Sequence, residues 1–251
     1  MYYSRDMKTW PILFGYADVR AEFPHQKTFE SFLRRALKQG RITQIKKGLY
    51  GLNNPSDGSL LASPYQIACR LSPTAFITGH FALAYYGLAE QSFRSDYSVA
   101  SLTAFRSVTL HGASYRYVPA KDLLGVKDRL KEEGIRVVSK ERLMIEGCEK
   151  LGRVGGYEEL THAITLCHDL DEAALLALLS ARKQNLLFLK VGYLLETYYS
   201  SDISEAFLQE CLTHRSPKKY YFASKPGFGG YIKKWNLIVP LKKDNSPHEL
   251  L

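Results

Sequence analysis

The sequence predicts an α+β protein, a small N-terminal unit followed by a larger mixed domain. Three observations carry that expectation. An amphipathic helical stripe ending at Leu37 is followed at once by two short strand-like runs. Segments rich in β-branched and aromatic residues dominate 97–138, and apolar helical patterns then dominate 141–212. Strands gathered ahead of helices, instead of alternating with them, are the α+β arrangement.

Residues 1–52 read as one unit. Pro11 interrupts an early helix, and Leu13 and Phe14 suit a short strand. A short helix over 16–23 is closed by Pro24, which disfavours helical geometry in the residue before it. Phe29, Phe32, Leu33, Ala36 and Leu37 then recur at i, i+3, i+4, i+7 and i+8, one apolar helix face. Gly40 is placed to end that helix in the left-handed region. Strands at 41–45 and 49–52 flank Lys46-Lys47-Gly48, a hairpin turn. Helix, turn, helix and β-hairpin in that order predict a winged helix-turn-helix.

Residues 53–62 form the expected linker, because Asn, Asn, Pro, Ser, Asp, Gly and Ser cluster there. The second domain spans 63–251. Ser63 caps a helix whose first residue is Pro64, and a second helix covers 80–86. Strands are expected at 97–102, 107–110, 115–118 and 135–138. Helices follow at 141–150, 157–167, 172–181, 185–199 and 203–212, the fourth apolar almost all round and therefore core. Terminal strands at 220–223 and 235–239 complete the mixed α+β domain.

The 251 residues are 45% hydrophobic and 24% charged, which excludes wholesale disorder. No apolar run reaches the roughly 18–20 residues of a membrane helix. Met1 to Lys8 has no apolar stretch behind it, so the expectation is a cytoplasmic protein. Cys69, Cys148, Cys167 and Cys211 are too far apart for a zinc knuckle or a redox pair and read as small buried hydrophobes. No metal or cofactor is expected.

The formal charge of +9 is uneven. Residues 1–60 hold ten Lys and Arg against five Asp and Glu, and 182–251 hold eleven against six, around a near-neutral middle. Such clustering suits a polyanion. On a helical wheel, Lys27, Ser31, Arg34, Arg35 and Lys38 face away from the apolar stripe, with Thr28 at the edge. That face would enter the major groove of double-stranded DNA, Lys27, Thr28 and Ser31 nearest the base edges and the rest on phosphates. The hairpin adds Arg41, Lys46 and Lys47, expected at a wing tip. One such unit reads few base pairs, so two copies on an inverted repeat are expected. A second basic surface is expected at Lys218, Lys219, Lys225, Lys233 and Lys234, where cations interleave with aromatics. Strands with aromatics inward and lysines outward explain the same pattern.

Four segments together point to one family. They are Gln39-Gly40-Arg41-Ile42 through Lys46-Lys47-Gly48-Leu49-Tyr50; Ser63-Pro64-Tyr65-Gln66-Ile67-Ala68 with Leu71-Ser72-Pro73 and Ala82-Leu83-Ala84-Tyr85-Tyr86-Gly87-Leu88; Ser139-Lys140-Glu141-Arg142-Leu143-Met144-Ile145-Glu146 leading to Gly155-Gly156-Tyr157-Glu158-Glu159; and Gly192-Tyr193-Leu194-Leu195-Glu196 with Lys234-Trp235-Asn236-Leu237-Ile238-Val239-Pro240. Their order and spacing, across most of the chain, give a resemblance to the AbiEi-family antitoxins. It implies an N-terminal repressor domain acting on its own operon and a C-terminal domain that counteracts a nucleotidyltransferase toxin in a type IV toxin–antitoxin system of phage defence. No stable complex with the toxin is then required. Leu143 and Glu146 depart from the Ser or Thr and the Asp that the family carries there.

Two other functions fit parts of the sequence. Gly155-Gly156, with twelve residues before Asp169-Leu170-Asp171, matches the spacing of a Mg²⁺-dependent nucleotidyltransferase. Yet Asp169 or Asp171 suits the N-cap of the next helix better, and Glu158 and Glu159 would repel nucleotide phosphates. His162 and His168, six apart, do not share a helix face for a metal with Cys167, and His80 reads as a packing or capping residue. The other alternative is a winged-helix regulator whose second domain senses a ligand, with no toxin.

Overall fold

The computed structural model describes residues 7–23, 25–90, 96–223 and 229–240. The chain is a mixed α+β protein, and what positions its surfaces is how the N-terminal unit is joined to the rest. That unit begins with a 3-10 turn at Met7–Thr9, strand β1 at Leu13–Phe14 and a second 3-10 segment at Ala17–Glu22. Helix α1 (Gln26–Lys38) follows, then β2 (Ile42–Lys46) and β3 (Leu49–Leu52). Gly40 takes φ +65°, the left-handed turn that ends α1 and feeds β2. The three strands form one antiparallel sheet in the order β1-β3-β2. Against one face, α1 packs Phe29, Phe32, Leu33 and Ala36 onto Trp10, Phe14 and Phe23. The rings meet mostly edge to face or tilted: Trp10–Phe14 centroids are 4.9 Å apart at 69° and Phe23–Phe29 5.2 Å at 65°.

The sheet's other face is not open to water. Leu13, Ile45 and Leu49 belong to the hydrophobic core of the second domain. Gly51 packs closely under this junction, where an added Cβ would lie 2.5 Å from Leu60 Cδ1 and displace that side chain. The expected linker is a folded-back turn. Asn53 bridges Leu60, the Leu61 amide donates to the Leu52 carbonyl at 2.9 Å, and the Asn54 and Asp57 side chains accept from the Ser56 and Ser59 amides. Arg70 reaches back to Asp18 at 2.7 Å.

The second domain opens with α2 (Pro64–Arg70), held by a capping box in which Ser63 and Gln66 satisfy each other's backbone amides. Strand β4 (Phe76–Ile77), α3 (Gly79–Tyr85), and strands β5 (Asp96–Ser101), β6 (Val108–Leu110), β7 (Ala113–Pro119), β8 (Val126–Arg129) and β9 (Ile135–Val138) follow. They make a six-stranded sheet in the order β6-β7-β5-β4-β9-β8, with β5–β7 and β4–β9 parallel. Helices α4 (Lys140–Glu149), α5 (Tyr157–Leu166), α6 (Glu172–Arg182), α7 (Asn185–Tyr198) and α8 (Glu205–Thr213) come next. Residues 187–195 of α7, Lys190 among them, are buried without a break, as a helix apolar almost all round requires. Strands β10 (Tyr220–Tyr221), β11 (Gly229–Ile232) and β12 (Leu237–Pro240) form a small sheet in the order β10-β12-β11. Trp235 from its rim lies on Gly192 of α7, where a Cβ would sit 2.4 Å from the indole. The Trp235 Nε1–H donates to Glu196 at 2.6 Å. All four cysteines are free and buried. Among the described residues no helix is long and apolar enough to cross a membrane.

Candidate nucleic-acid interface

Helix α1 forms because its apolar stripe buries against the aromatic core, and that fixes which side chains face outward. Lys27, Thr28, Ser31, Arg34, Arg35 and Lys38 are all exposed. None of the four cations among them is paired with a carboxylate of the described residues. Arg34 and Arg35 make only long contacts to Ser31, at 3.5 Å to its hydroxyl and 3.4 Å to its carbonyl. Glu30, the one acid on this helix, accepts from Gln26 at 3.0 Å. The N-terminus of α1 is preceded by His25 without a side-chain cap, and its first turn holds no acid. Backbone dipoles and cations there therefore favour the same anion.

The hairpin departs from expectation. Arg41 is not at its tip but at the far end, beside the C-terminus of α1, with its guanidinium 5.6 Å from the Phe32 ring centroid. Its Nε is buried without a hydrogen-bond partner. Lys46 turns inward, its ammonium donating to the Leu71 carbonyl at 2.7 Å, so it ties the hairpin to the second domain. Lys47 remains exposed. Lys46 and Lys47 line a cleft of about 800 Å³ between the two units, together with Asp18 of their own unit and Arg70 and Arg136 of the second. Sequence reasoning missed this because the tip's surroundings come from a segment distant in the chain.

The C-terminal basic cluster divides. Phe222 and Trp235 are core residues, while Tyr221 and Tyr231 are exposed. Lys219 lies 4.4 Å over the Tyr231 ring and Lys218 5.8 Å from Tyr220, both exposed, as is Lys233. Lys234 is paired with Glu196. Lys225 lies outside the described residues.

The carboxylates and histidines of the other candidate sites have protein partners of their own. Asp171 caps α6 through the Ala174 amide at 3.1 Å. Asp169 is held by Lys140 at 2.5 Å, and that bond keeps its carboxyl below the usual range. Gly155 and Gly156 take φ of +95° and +118° ahead of α5, whose Glu159 is buried and bonded to His80 at 2.9 Å. His162 faces Glu90 and His168 faces Ser201. Among the described residues no group of three or more His, Cys, Asp or Glu is arranged to hold a metal.

The fold thus defines a mixed α+β protein with a basic helix face at one end. No family model matches the chain, and no curated protein matches it. Among solved structures, the chain is similar to the crystal structure of the RV2827C protein from Mycobacterium tuberculosis. The two share 17% identity over 92% of this chain and 87% of that one, with a TM-score of 0.64. At that identity the likeness is one of fold.

Proposed function

We propose that this protein is a sequence-specific DNA-binding repressor whose N-terminal unit is a winged helix-turn-helix, and that it serves as an AbiEi-type antitoxin. The observation that carries the DNA reading is the outward face of α1, where Lys27, Arg34, Arg35 and Lys38 are exposed and unpaired. On this reading α1 is the recognition helix, entering the major groove N-terminus first. The segment 17–22 is the supporting helix, and the β2–β3 hairpin is the wing. Lys47 is the wing's phosphate contact, while Lys46 is withdrawn into the molecule. Two copies bind an inverted repeat, matching protein and operator symmetry.

Binding of the full chain to the DNA upstream of its own gene, followed by fluorescence anisotropy across a salt series, tests this. Arg34→Ala with Lys47→Ala is expected to weaken binding and flatten the salt dependence by about 0.9 per lost phosphate contact. Unchanged affinity and slope would sink the docking geometry. The antitoxin role rests on the four-segment sequence resemblance. It expects a nucleotidyltransferase reading frame beside this gene, and rescue of growth when both are expressed. Failure of rescue with DNA binding intact leaves a repressor without a toxin.

A further inference from the structure

The second domain holds a charged cavity that the DNA reading does not use. Its volume is about 540 Å³, and side chains of α4, α6 and α7 line it together with the segment 119–122. Three carboxylates face it, Asp122, Glu146 and Glu149, against five cations, Lys121, Arg142, Arg153, Arg182 and Lys190. The lining therefore carries a formal excess of two positive charges.

One part of the cluster is satisfied internally. Arg142 donates to Glu146 at 2.7 Å, to Asp122 at 3.0 Å and to the Leu124 carbonyl at 2.6 Å. Glu146 also accepts from the Thr78 hydroxyl at 2.5 Å. A salt-bridge network locking α4 in place accounts for these groups. It holds Arg182 only at longer range and does not include Lys190. The Arg182 guanidinium stands 3.4 Å from Glu149 and 3.8 Å from both Asp122 and Glu146, yet hydrogen-bonds none of them. Its side chain is only 17% exposed, so its fork of donors is held among these carboxylates at ion-pair distance without a close hydrogen bond, and Arg153 shares Glu149 with it at 3.7 Å. Lys190 is 8% exposed; its ammonium gives one hydrogen bond, to the Cys148 carbonyl at 3.0 Å, and lies 5.0 Å over the Phe222 ring. Among the described residues it has no carboxylate partner, which is an expensive state for a buried charge.

We propose that this cavity binds a small dianionic metabolite, a phosphate monoester or a dicarboxylate, through Arg182, Arg153 and Lys190. A dianion neutralises the excess charge of the lining. The Arg182 fork matches two oxygens of one phosphate or carboxylate group, and Lys190 in the lining adds a point charge. The volume lies within the roughly 300–1,000 Å³ of small-molecule sites. None of these residues belongs to the DNA surface, so the two proposals stand or fall separately.

The test is thermal melting and calorimetry of the full chain with inorganic phosphate, glycerol 3-phosphate and malonate, each against sodium chloride of equal ionic strength. A saturable rise in Tm of roughly 5–10 °C at about one hundred times Kd is expected from at least one probe. Lys190→Met is expected to abolish the rise while melting no lower than the parent, because it removes a lone buried charge without changing volume much. Arg153→Gln, at a more exposed position, is expected to weaken binding by about tenfold and carries the test if the Lys190 variant does not fold. No saturable response to any probe, an equal response to chloride, or unchanged affinity in both variants would overturn the proposal.

Discussion

Lys46 and Lys47 are neighbours in sequence with opposite expected roles, which makes them the most economical test of how the N-terminal unit meets DNA. Lys46 donates a 2.7 Å charge-assisted hydrogen bond to the Leu71 carbonyl, across the junction between the units. Removing it as Lys46→Ala deletes a bond of a kind worth about 1.5–3 kcal/mol and leaves that carbonyl without its donor. Lys46 is only half-buried, so water recovers part of this and about 1–2 kcal/mol is expected. For a chain of this length that is a fall in Tm of roughly 2–8 °C. Lys47 is exposed and touches no carboxylate, so Lys47→Ala should change stability by no more than about 0.5 kcal/mol. Anisotropy on operator DNA should show the reverse order. Lys47→Ala should flatten the plot of log affinity against log salt by about 0.9 per protomer, or about 1.8 for two copies on one repeat. Lys46→Ala, measured well below its melting point, should leave that slope unchanged. If Lys46→Ala flattens the slope as much as Lys47→Ala while leaving Tm intact, the inward placement of Lys46 is wrong and the wing points outward.

Three further outcomes are expected. Gly192→Ala should lower stability by about 3 kcal/mol or more, read by urea unfolding, because the new methyl meets the fully buried Trp235 ring at 2.4 Å; a neutral result would mean that the indole has room to move. Arg142→Ala should cost about 3–5 kcal/mol by leaving Glu146 buried without its guanidinium, and adding Glu146→Gln should restore part of that loss. Burial pushes the thiols of Cys69, Cys148 and Cys211 up to about 11, 12 and 12. They should resist alkylation in the native protein at pH 8, and rapid labelling without unfolding would contradict that burial. The sign of their linkage follows from the raised values. The folded state holds these protons after the unfolded chain has begun to lose them, so their contribution to stability is flat below about pH 8.5 and falls from there toward pH 11–12. Lys190, whose pKa burial lowers, works in the opposite sense over the alkaline range.

Elements whose own residues contain the whole signal were legible in the sequence. The stripe from Phe29 to Leu37 marks α1, Ser63-Pro64 marks the start of α2, and a run apolar almost all round marks α7 as core. Elements defined by their neighbours were not. Strand β4 is two buried residues, Phe76 and Ile77, too short for any alternation to appear, yet it joins the two halves of the six-stranded sheet. Strand β8, Val-Lys-Asp-Arg, is an edge strand whose charges read as loop. Strand β11 begins with two glycines, which punctuate turns more often than strands. The basic face of α1 was readable because helical period alone sets it. The inward turn of Lys46 was not, since it depends on Leu71, 25 residues away. Nor could spacing show that Arg182 from α6 faces carboxylates from two other segments.

The three-stranded sheet of the N-terminal unit has α1 on one side and the second domain's core on the other. A fragment cut at residue 52 would keep its helix and its aromatic cluster but leave Leu13, Ile45 and Leu49 facing solvent. Such a piece would be an adhesive plate with one greasy side, drawn to its own copies. Any attempt to study this helix face by itself therefore needs either the whole chain or polar replacements at those three positions.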